Sequence, residues 1–357
     1  MTARTRLLGR VALAASLLMS VVSATVACGD EQGKGASARD DRTVVLVTYS
    51  GYALPEEAAA AFTKRTGWKI KVIDAGDAGT MLSAAILTAG RPEGDVLFGV
   101  DNTFLSRAQG SDAFALHRPE ALDRLPEAVR LDDTGRFVPI DTGTVCVNAD
   151  AAWFAEHGID PPTDLASLAE PTYRDLLVVE HPATSSPGLA FLAATHATFG
   201  AGTEGYWGRL HDNGVAVSAS WSDAYNTRYT VNGGDRPLVV SYASSPPAEV
   251  VYSEGARTEP ASVVLERTCF EQVEFVALLA GAANPDGAKL LIEEMLSEQW
   301  QAALPLSNFV YPVRPDTELP EEFRKWAAPV DDPIRLDPAT IGRERDEWLV
   351  AWRDVME

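Results

Sequence analysis

Apolar runs of strand length alternate with amphipathic segments of helix length over residues 42–100. The segment RTVVLVTYSGY (42–52) is an apolar run that ends in a glycine-containing turn, and the segments 68–74 and 95–100 have the same strand character. Between them, 54–67 and 78–90 have helical spacing and end in glycine. This order of elements predicts a parallel sheet covered by helices.

The loops that follow these three strands are candidate parts of a binding site. In parallel sheets ligands bind at the carboxyl ends of the strands, which here are residues 49–52, 74–79 and 99–102. The loops combine glycine with tyrosine and aspartate. This composition suits the mouth of a pocket, but it is also ordinary turn chemistry.

A second unit of strands and helices follows this first sheet. The segment 137–148 predicts a pair of strands, and 285–304 predicts one amphipathic helix with an apolar stripe. A last helix begins after Asp337 and places Trp348 and Trp352 four residues apart on an ordinary amphipathic face. We therefore expect these two tryptophans in the core.

The first 41 residues have the pattern of an export signal and a tether. Three arginines precede an apolar run over 11–27, and Cys28 follows directly. Residues 1–27 therefore predict a signal peptide, in preference to a membrane anchor, for which the run is slightly short. The sequence TVAC resembles the lipobox of bacterial lipoproteins, so Cys28 is the expected lipid attachment site. The polar segment 28–41 then predicts a flexible tether at a membrane surface.

Composition and charge narrow the class of partner. The 316 residues after position 41 (357 − 41) are enough for two domains, and 46% of the chain is hydrophobic. The formal charge is −21, and removing three arginines with residues 1–27 leaves −24. Such a chain disfavours nucleic acid and mildly favours cationic partners. Cys146 and Cys269 are either a disulfide or two buried thiols on sequence grounds alone.

Two Ser-Pro turns and one aromatic pair are candidate binding features. TSSPGL (184–189) predicts a capped helix start whose free N–H groups could hold a phosphate, and SYASSPPAE (241–249) repeats the pattern. Trp221 and Tyr225 lie four residues apart among Ser, Asp and Asn. They are either core packing or one wall of a pocket for a flat cation.

The sequence gives no support to catalysis or metal binding. The motifs GxSxG, SxxK, HExxH, CxxC and the P-loop do not occur, and the five histidines are scattered singly. We therefore predict no enzyme activity, no catalytic residue, no metal site and no cofactor.

Seven segments in order resemble the bacterial periplasmic thiamine-binding proteins, the substrate-binding subunits of thiamine ABC importers. They are LVTYSGY, DVLFGVDN, FVPIDTG, TSSPGL, SWSDAY, LVVSYASSP and SNFVYPV, followed by the Trp-rich last helix. Each segment alone is weak, but their order and spacing together are specific.

The resemblance implies a two-lobed α/β fold of the type II periplasmic binding proteins, which closes on its ligand. Each lobe is expected to be a mostly parallel sheet flanked by helices. Residues 42–139 would form lobe 1 and 140–270 lobe 2, while 271–357 would return to lobe 1 and add the C-terminal helices. Crossover strands expected at 139–148 and 266–275 would bring Cys146 near Cys269, so a disulfide across the hinge is implied.

The resemblance also implies site residues. Tyr49 and Trp221 would stack on the thiamine rings, Asp77 would pair with the aminopyrimidine or the thiazolium side, and Tyr242 would line the cleft. Ser185 would meet the hydroxyethyl or phosphate end. The remaining expected ligand-binding residues are Ser186, Gly188, Tyr225 and Phe309.

The function implied is capture of thiamine, or of a thiamine phosphate or precursor, by a monomeric lipoprotein outside the plasma membrane. Its partners would be an ABC permease with its ATPase and, through the lipid, the membrane. One alternative keeps the fold but binds a polyamine or ferric iron, although no Tyr-Tyr pair occurs for iron. A second alternative is a surface enzyme that acts on thiamine-like compounds.

Overall fold

The computed structural model of the protein describes residues 42–327 and 329–357, and within them ten strands form one mixed sheet. The strands are β1 (Thr43–Thr48), β2 (Lys69–Asp74), β3 (Val96–Asp101), β4 (Phe114–Ala115), β5 (Phe137–Asp150), β6 (Leu177–Glu180), β7 (Ala216–Ser218), β8 (Leu238–Tyr242), β9 (Ser262–Leu279) and β10 (Tyr311–Pro312). The main path of the sheet runs β2-β1-β3-β9-β5-β8-β6-β7.

Twelve α-helices are described in the same residues. They are α1 (Glu56–Thr66), α2 (Ala78–Leu87), α3 (Leu105–Gln109), α4 (Ala151–His157), α5 (Ser186–Phe199), α6 (Thr203–Asp212), α7 (Trp221–Asp223), α8 (Ser245–Val251), α9 (Pro285–Met295), α10 (Glu298–Ser307), α11 (Glu321–Trp326) and α12 (Pro338–Met356). Over the described ranges, none of the helices combines the length and the hydropathy that a membrane crossing requires. The predicted signal peptide, lipidated Cys28 and tether lie outside the described residues.

The two ends of the sheet are parallel and its centre is antiparallel. We call β1, β2 and β3 the first half and β6, β7 and β8 the second half; within each half the strands pair in parallel. The long strands β5 and β9 join the halves and pair antiparallel with each other and with their outer neighbours. The antiparallel centre arises because the chain crosses between halves by extended strands, which need no crossover helix.

Local sequence signals explain the elements of the first half. Helix α1 has acidic residues in its first turn and basic residues in its last, which complements the helix dipole. It ends at Gly67, whose φ of 75° is the left-handed conformation of a helix C-cap. Strands β1 and β3 are almost wholly buried, as their continuous apolar runs predict for a covered parallel sheet.

Two predicted elements are wrong in their boundaries. The segment 137–148 is not a strand pair but part of the single strand β5, whose register against β9 shifts between Pro139 and Asp141 and again after Val145. The segment 285–304 is two helices: α9 ends at Met295, and Ser297 caps the start of α10 by accepting a hydrogen bond from the Trp300 amide at 3.2 Å.

Hydrophobic clusters cover both faces of the sheet. One cluster packs α1, α9 and α10 against one face of the first half. The other packs α2, α5, α6 and α12 against the opposite face and continues beneath the second half. Trp348 and Trp352 of α12 are 6% and 3% exposed within this second cluster, which confirms that they are core residues.

Cys146 on β5 and Cys269 on β9 form a disulfide, with an S–S distance of 2.02 Å. Both residues are buried in a small cluster with Ala243. The bond therefore joins the two strands that connect the halves. The predicted lobe boundaries at 139/140 and 270/271 fall inside these same two strands and remain a prediction.

Candidate functional site

A cavity of about 550 Å³ lies where the carboxyl ends of both parallel halves meet. Its walls include residues from the segments that follow β1, β2, β6, β7 and β8, which is where α/β sheets bind ligands. Seven of the nine predicted ligand-binding residues line it, and they are Tyr49, Asp77, Ser186, Trp221, Tyr225, Tyr242 and Phe309. Its volume is in the range of small-molecule sites.

One wall of the cavity is a set of three aromatic rings from the second half. Trp221 and Tyr225 stack with a centroid distance of 5.0 Å and an interplanar angle of 13°, and Tyr242 stands 6.1 Å from Trp221. The Trp221 Nε1–H donates to Ser241 Oγ at 3.0 Å, which fixes the indole. The Tyr225 hydroxyl donates to Glu249 Oε1 at 3.1 Å, and burial raises its pKa. The rings are therefore held rigidly with faces available to a flat ligand.

The backbone beneath these rings departs from a regular helix. Helix α7 is three residues long and runs into a π-helical turn over Ala224–Arg228. Ser220 caps the start by accepting from the Asp223 amide at 3.2 Å. Such π turns are frequent at functional sites because they redirect side chains. The aromatic pair is both core and wall, since Tyr225 is 8% exposed while Trp221 is half-buried.

Tyr49 forms the facing wall from the first half, and Gly99 makes room for it. A Cβ on Gly99 would come within 2.2 Å of Tyr49 Cδ1, and Gly99 has a φ of +109°. The Tyr49 ring also contacts Tyr52 and Phe98 edge-on or tilted, at centroid distances of 6.2 and 6.0 Å. The glycine in β3 is therefore required for the position of Tyr49.

Asp77 bridges the two halves across the cavity. It precedes α2 in the first half, and its Oδ2 accepts a hydrogen bond from the Trp221 amide at 3.1 Å. Two residues later, the Gly79 amide donates to the Thr184 carbonyl at 2.9 Å. Burial raises the pKa of Asp77, while the nearby Ser185 hydroxyl and the Trp221 amide act to lower it. Two hydrogen bonds, one to the Asp77 side chain and one between backbone groups, thus join the halves beside the cavity.

The start of α5 brings one serine into the cavity and leaves two predicted residues behind it. Ser186 lines the cavity and donates a hydrogen bond to Asp101 Oδ2. Ser185 is the N-cap residue, is fully buried and makes no capping hydrogen bond. A Cβ on Gly188 would be 2.5 Å from the Glu180 carbonyl oxygen, so this glycine serves close packing. Ser185 and Gly188 therefore do not line the cavity that was predicted to contain them.

Phe309 and Tyr252 meet at the mouth of the cavity. Their ring centroids are 5.2 Å apart, and Phe309 also stacks on Phe323. Phe309 has a φ of 53°, and Tyr252 is 67% exposed. Tyr252 lies in a turn after α8 without any local signal, so the sequence did not identify it.

Sequence reasoning also missed two polar residues on β9. Gln272 and Glu274 line the cavity and are 2% and 5% exposed. They occupy alternate positions in the buried C-terminal part of β9, so both side chains point to one face. That alternation is the signal that could have found them.

The remaining cavity walls are mostly polar. Asn226, Asn232, Asn308, Ser244, Ser245 and Glu249 contribute amide, hydroxyl and carboxylate groups. Arg257 is the only basic residue among the described residues of the lining. Groups of three or more His, Cys, Asp and Glu side chains arranged for a metal ion do not occur within 42–327 and 329–357. The cavity therefore offers flat faces, hydrogen-bonding groups and acids.

Comparisons with known proteins agree with this architecture. The family model for bacterial extracellular solute-binding protein matches residues 93–330. The chain is 27% identical to the thiamine-binding periplasmic protein of Escherichia coli strain K12 over 296 residues, which is 82% of this chain and 86% of that protein. It is also 27% identical to the protein of the same description from Salmonella typhimurium over 316 residues, 87% of this chain and 92% of that one.

A solved structure described as a periplasmic thiamin binding protein has the same fold. It superposes with a TM-score of 0.78 at 24% sequence identity and covers 88% of this chain and 96% of its own. This likeness confirms the predicted two-lobed α/β fold of type II binding proteins. The family model covers two thirds of the sequence, and the chain belongs to the bacterial extracellular solute-binding protein family.

Proposed function

We propose that the protein is a non-catalytic receptor that captures thiamine, or a thiamine phosphate or precursor, outside the plasma membrane. The observation that carries the proposal is a single cavity lined by Trp221, Tyr225 and Tyr49 together with the Asp77 carboxylate. Thiamine has two flat heteroaromatic rings and a permanent positive charge, which such rings and acids recognise. The names of the relatives support the same ligand.

The proposed binding energy combines several contributions. A cation over an aromatic face gains about 0.5–2 kcal/mol, whereas nanomolar affinity needs about −12 kcal/mol. Burial of the rings between the halves and hydrogen bonds from the polar walls would supply the remainder. The contacts that join Asp77 to Trp221 and Gly79 to Thr184 are those expected of a closed, ligand-holding state.

The test is calorimetric titration of the purified protein with thiamine, thiamine monophosphate, the pyrimidine precursor and spermidine. We expect saturable binding of a thiamine compound at micromolar concentration or tighter and quenching of tryptophan fluorescence. Binding of spermidine alone would replace the proposal with a polyamine receptor. If none of the thiamine compounds gives heat or quenching, the proposal is wrong.

We further propose delivery to an ABC importer from a lipid anchor at Cys28. The family of the chain supports a transport role, and the tether of residues 28–41 would allow the receptor to reach its permease. Mass spectrometry of the membrane-extracted protein should find a diacylglyceryl group on Cys28. A Cys28→Ala variant should be released from the membrane while it binds thiamine unchanged.

A further inference from the structure

Three carboxyl groups lie side by side on the central strands, and one of them, Glu274, lines the cavity. Glu274 on β9 pairs in register with Asp101 on β3 and with Asp141 on β5. Residues that pair across antiparallel strands project from the same face of the sheet. The three side chains therefore form one acidic row, which is 0 to 5% exposed.

The hydrogen bonds of Asp101 distinguish it from the other two acids. Its carboxylate accepts from Ser186, from Gln272 Nε2 at 2.9 Å and from Thr103 Oγ1 at 2.6 Å, so its charge is well compensated. By contrast, Glu274 Oε2 and both Asp141 carboxyl oxygens receive no hydrogen bond from any described donor. Burying an ionised carboxylate without a hydrogen-bond donor or a cation costs free energy, so the charged forms of Glu274 and Asp141 lack full compensation among the described residues.

Glu274 is the member of this pair that faces the cavity. It lines the cavity together with Gln272, Tyr49 and Tyr242, whereas Asp141, its neighbour on β5, is not part of the lining. The titratable groups that act on Glu274 are the Tyr49 hydroxyl, Asp101 and Asp141. Its carboxylate also acts on Tyr242, and Tyr52 interacts with Asp141. Glu274 is 5% exposed, lacks a donor on one oxygen and lines a ligand-sized cavity, so its carboxyl group is placed to contact a bound molecule.

We propose that Glu274 is a ligand-contacting residue that receives the positively charged part of the bound molecule and loses its own proton as the molecule binds. Asp141 is a positioning residue that keeps its proton and donates it as a hydrogen bond to Glu274. This inference rests on the proposed function, since it requires a cationic ligand. No covalent bond forms, and the proton of Glu274 passes to the solvent.

The electrostatics of the pair agree with this assignment. Burial, with the nearby Asp101, raises the pKa of Glu274 to about 8, although the neighbouring Tyr49 hydroxyl and Asp141 carboxyl act to lower it. Burial and the adjacent Glu274 raise the pKa of Asp141 well above its usual value. Near pH 7 the free protein therefore holds a proton on Glu274. A permanent cation beside this group favours the ionised form and displaces that proton.

Proton linkage gives the proposal a quantitative test with thiamine as the probe. Calorimetry in buffers of different ionisation enthalpy should find close to one proton released per thiamine at pH 6 and about half a proton at pH 8. The association constant should rise on the order of 50-fold between these pH values, because the fraction of ionised Glu274 rises by that factor. Binding that is independent of pH and releases no proton would overturn the inference.

Three variants test whether the proton released on binding comes from Glu274. Glu274→Gln should abolish both the proton release and the pH dependence, and should bind thiamine at least tenfold more weakly at pH 8. Asp141→Asn keeps a hydrogen-bond donor behind Glu274 and should retain the proton release. Glu266→Gln makes the same change on an exposed position of the same strand and should behave as the unaltered protein. If Asp141→Asn removes the pH dependence and Glu274→Gln does not, the assignment to Glu274 is wrong.

A second measurement on the unaltered protein does not depend on whether a variant folds. The neutral hydroxyethylthiazole and its N-methylated, permanently charged form differ by one methyl group and a positive charge. Only the charged form should release a proton on binding at pH 6. Equal proton release by both would overturn the proposed charge contact. If the protein binds no thiamine compound at all, the proposed function fails, whereas thiamine binding without proton release rejects only the role of Glu274.

Discussion

The contact between Tyr49 and Gly99 shows how one residue without a side chain shapes the cavity. Strand β3 passes directly behind the tyrosine ring, and the φ of +109° at Gly99 disfavours any other residue. The position of the ring thus depends on a neighbouring strand as well as on the loop that carries it.

Gly99→Ala should both destabilise the protein and weaken thiamine binding, because the added Cβ would displace the Tyr49 ring. Gly158 is the matched control: it has a φ of +64° and no atom within 4 Å of its added Cβ. Gly158→Ala should lower the free energy of unfolding by about 1–2 kcal/mol through backbone strain alone. Gly99→Ala should cost about 1–3 kcal/mol more because of overpacking, measured by urea denaturation. Equal losses in the two variants would contradict this role of Gly99.

Trp221 allows the contribution of an aromatic ring to thiamine binding to be measured separately from the backbone contact with Asp77. Trp221→Ala removes one face of the stacked pair but leaves the backbone amide that bonds Asp77. The loss of a cation–aromatic contact of about 0.5–2 kcal/mol corresponds to about 2- to 30-fold weaker binding of thiamine. Trp326→Ala, outside the cavity, should not change the dissociation constant in the same calorimetric assay. An unaltered constant for Trp221→Ala would remove this ring from the site.

At the scale of elements, strands β5 and β9 connect the two parallel halves of the sheet. The two strands are hydrogen-bonded along most of their length, contribute Gln272 and Glu274 to the cavity and carry the disulfide. The cystine closes a sequence separation of 123 residues. A link of this span strongly restricts the unfolded chain.

Reduction of the disulfide, or replacement of both cysteines by serine, should lower the free energy of unfolding by about 2–5 kcal/mol. Urea denaturation with and without dithiothreitol measures this loss. The double serine variant serves as the control, because the reductant should leave its stability unchanged. If the reductant shifts both proteins equally, the effect does not come from this bond.

The sequence predicted the elements best where local signals were strong. Over residues 42–101, apolar runs and glycine stops identified β1, α1, β2, α2 and β3. The long strand β5 was divided because its bulges near Pro139 interrupt the alternation of side chains. Such a bulge cannot be distinguished from a turn without knowledge of the partner strand.

Prediction of the site depended on whether the local sequence around each residue is unusual. Tyr49 and Trp221 stand out because large rings sit among polar neighbours. Glu274 is one of three glutamates of β9, and it stands out only when β3 and β5 place Asp101 and Asp141 on either side of it. Ser185 and Gly188 belong to a helix start that resembles an anion site locally, but Gly188 packs against the Glu180 backbone and neither residue lines the cavity.

At the scale of the whole molecule, buried acids make stability depend on pH. The pKa of Glu274 is raised to about 8, and those of Asp141 and Glu180 are raised by burial as well. The native state therefore binds more protons than the unfolded state above pH 4, and stability falls as pH rises towards 8. Burial lowers the pKa of His196 to about 4, so that group costs stability only below about pH 6.5.

The free energy of unfolding of the ligand-free protein should therefore decrease from pH 6.5 to 8, by at most about 1.4 kcal/mol per pH unit for each such acid. Glu274→Gln should show a shallower decrease, while Glu266→Gln should follow the unaltered protein. Urea denaturation across this pH range measures the slope. A stability that rises over the same interval would show that these acids are ionised in the native state.

The continuity of β5 and β9 through both halves has a consequence for hydrogen exchange. If the halves separate to admit a ligand, β5 and β9 must twist together. The hydrogen bonds between their amides and carbonyls should persist during this movement. Amides in β9 such as that of Val276 should then exchange slowly whether or not thiamine is present. The Gly79 and Trp221 amides, which bridge the halves, should gain protection when the ligand is added. Hydrogen–deuterium exchange would thus distinguish the amides at the moving boundary between the halves from those of the central strands, about which the halves turn.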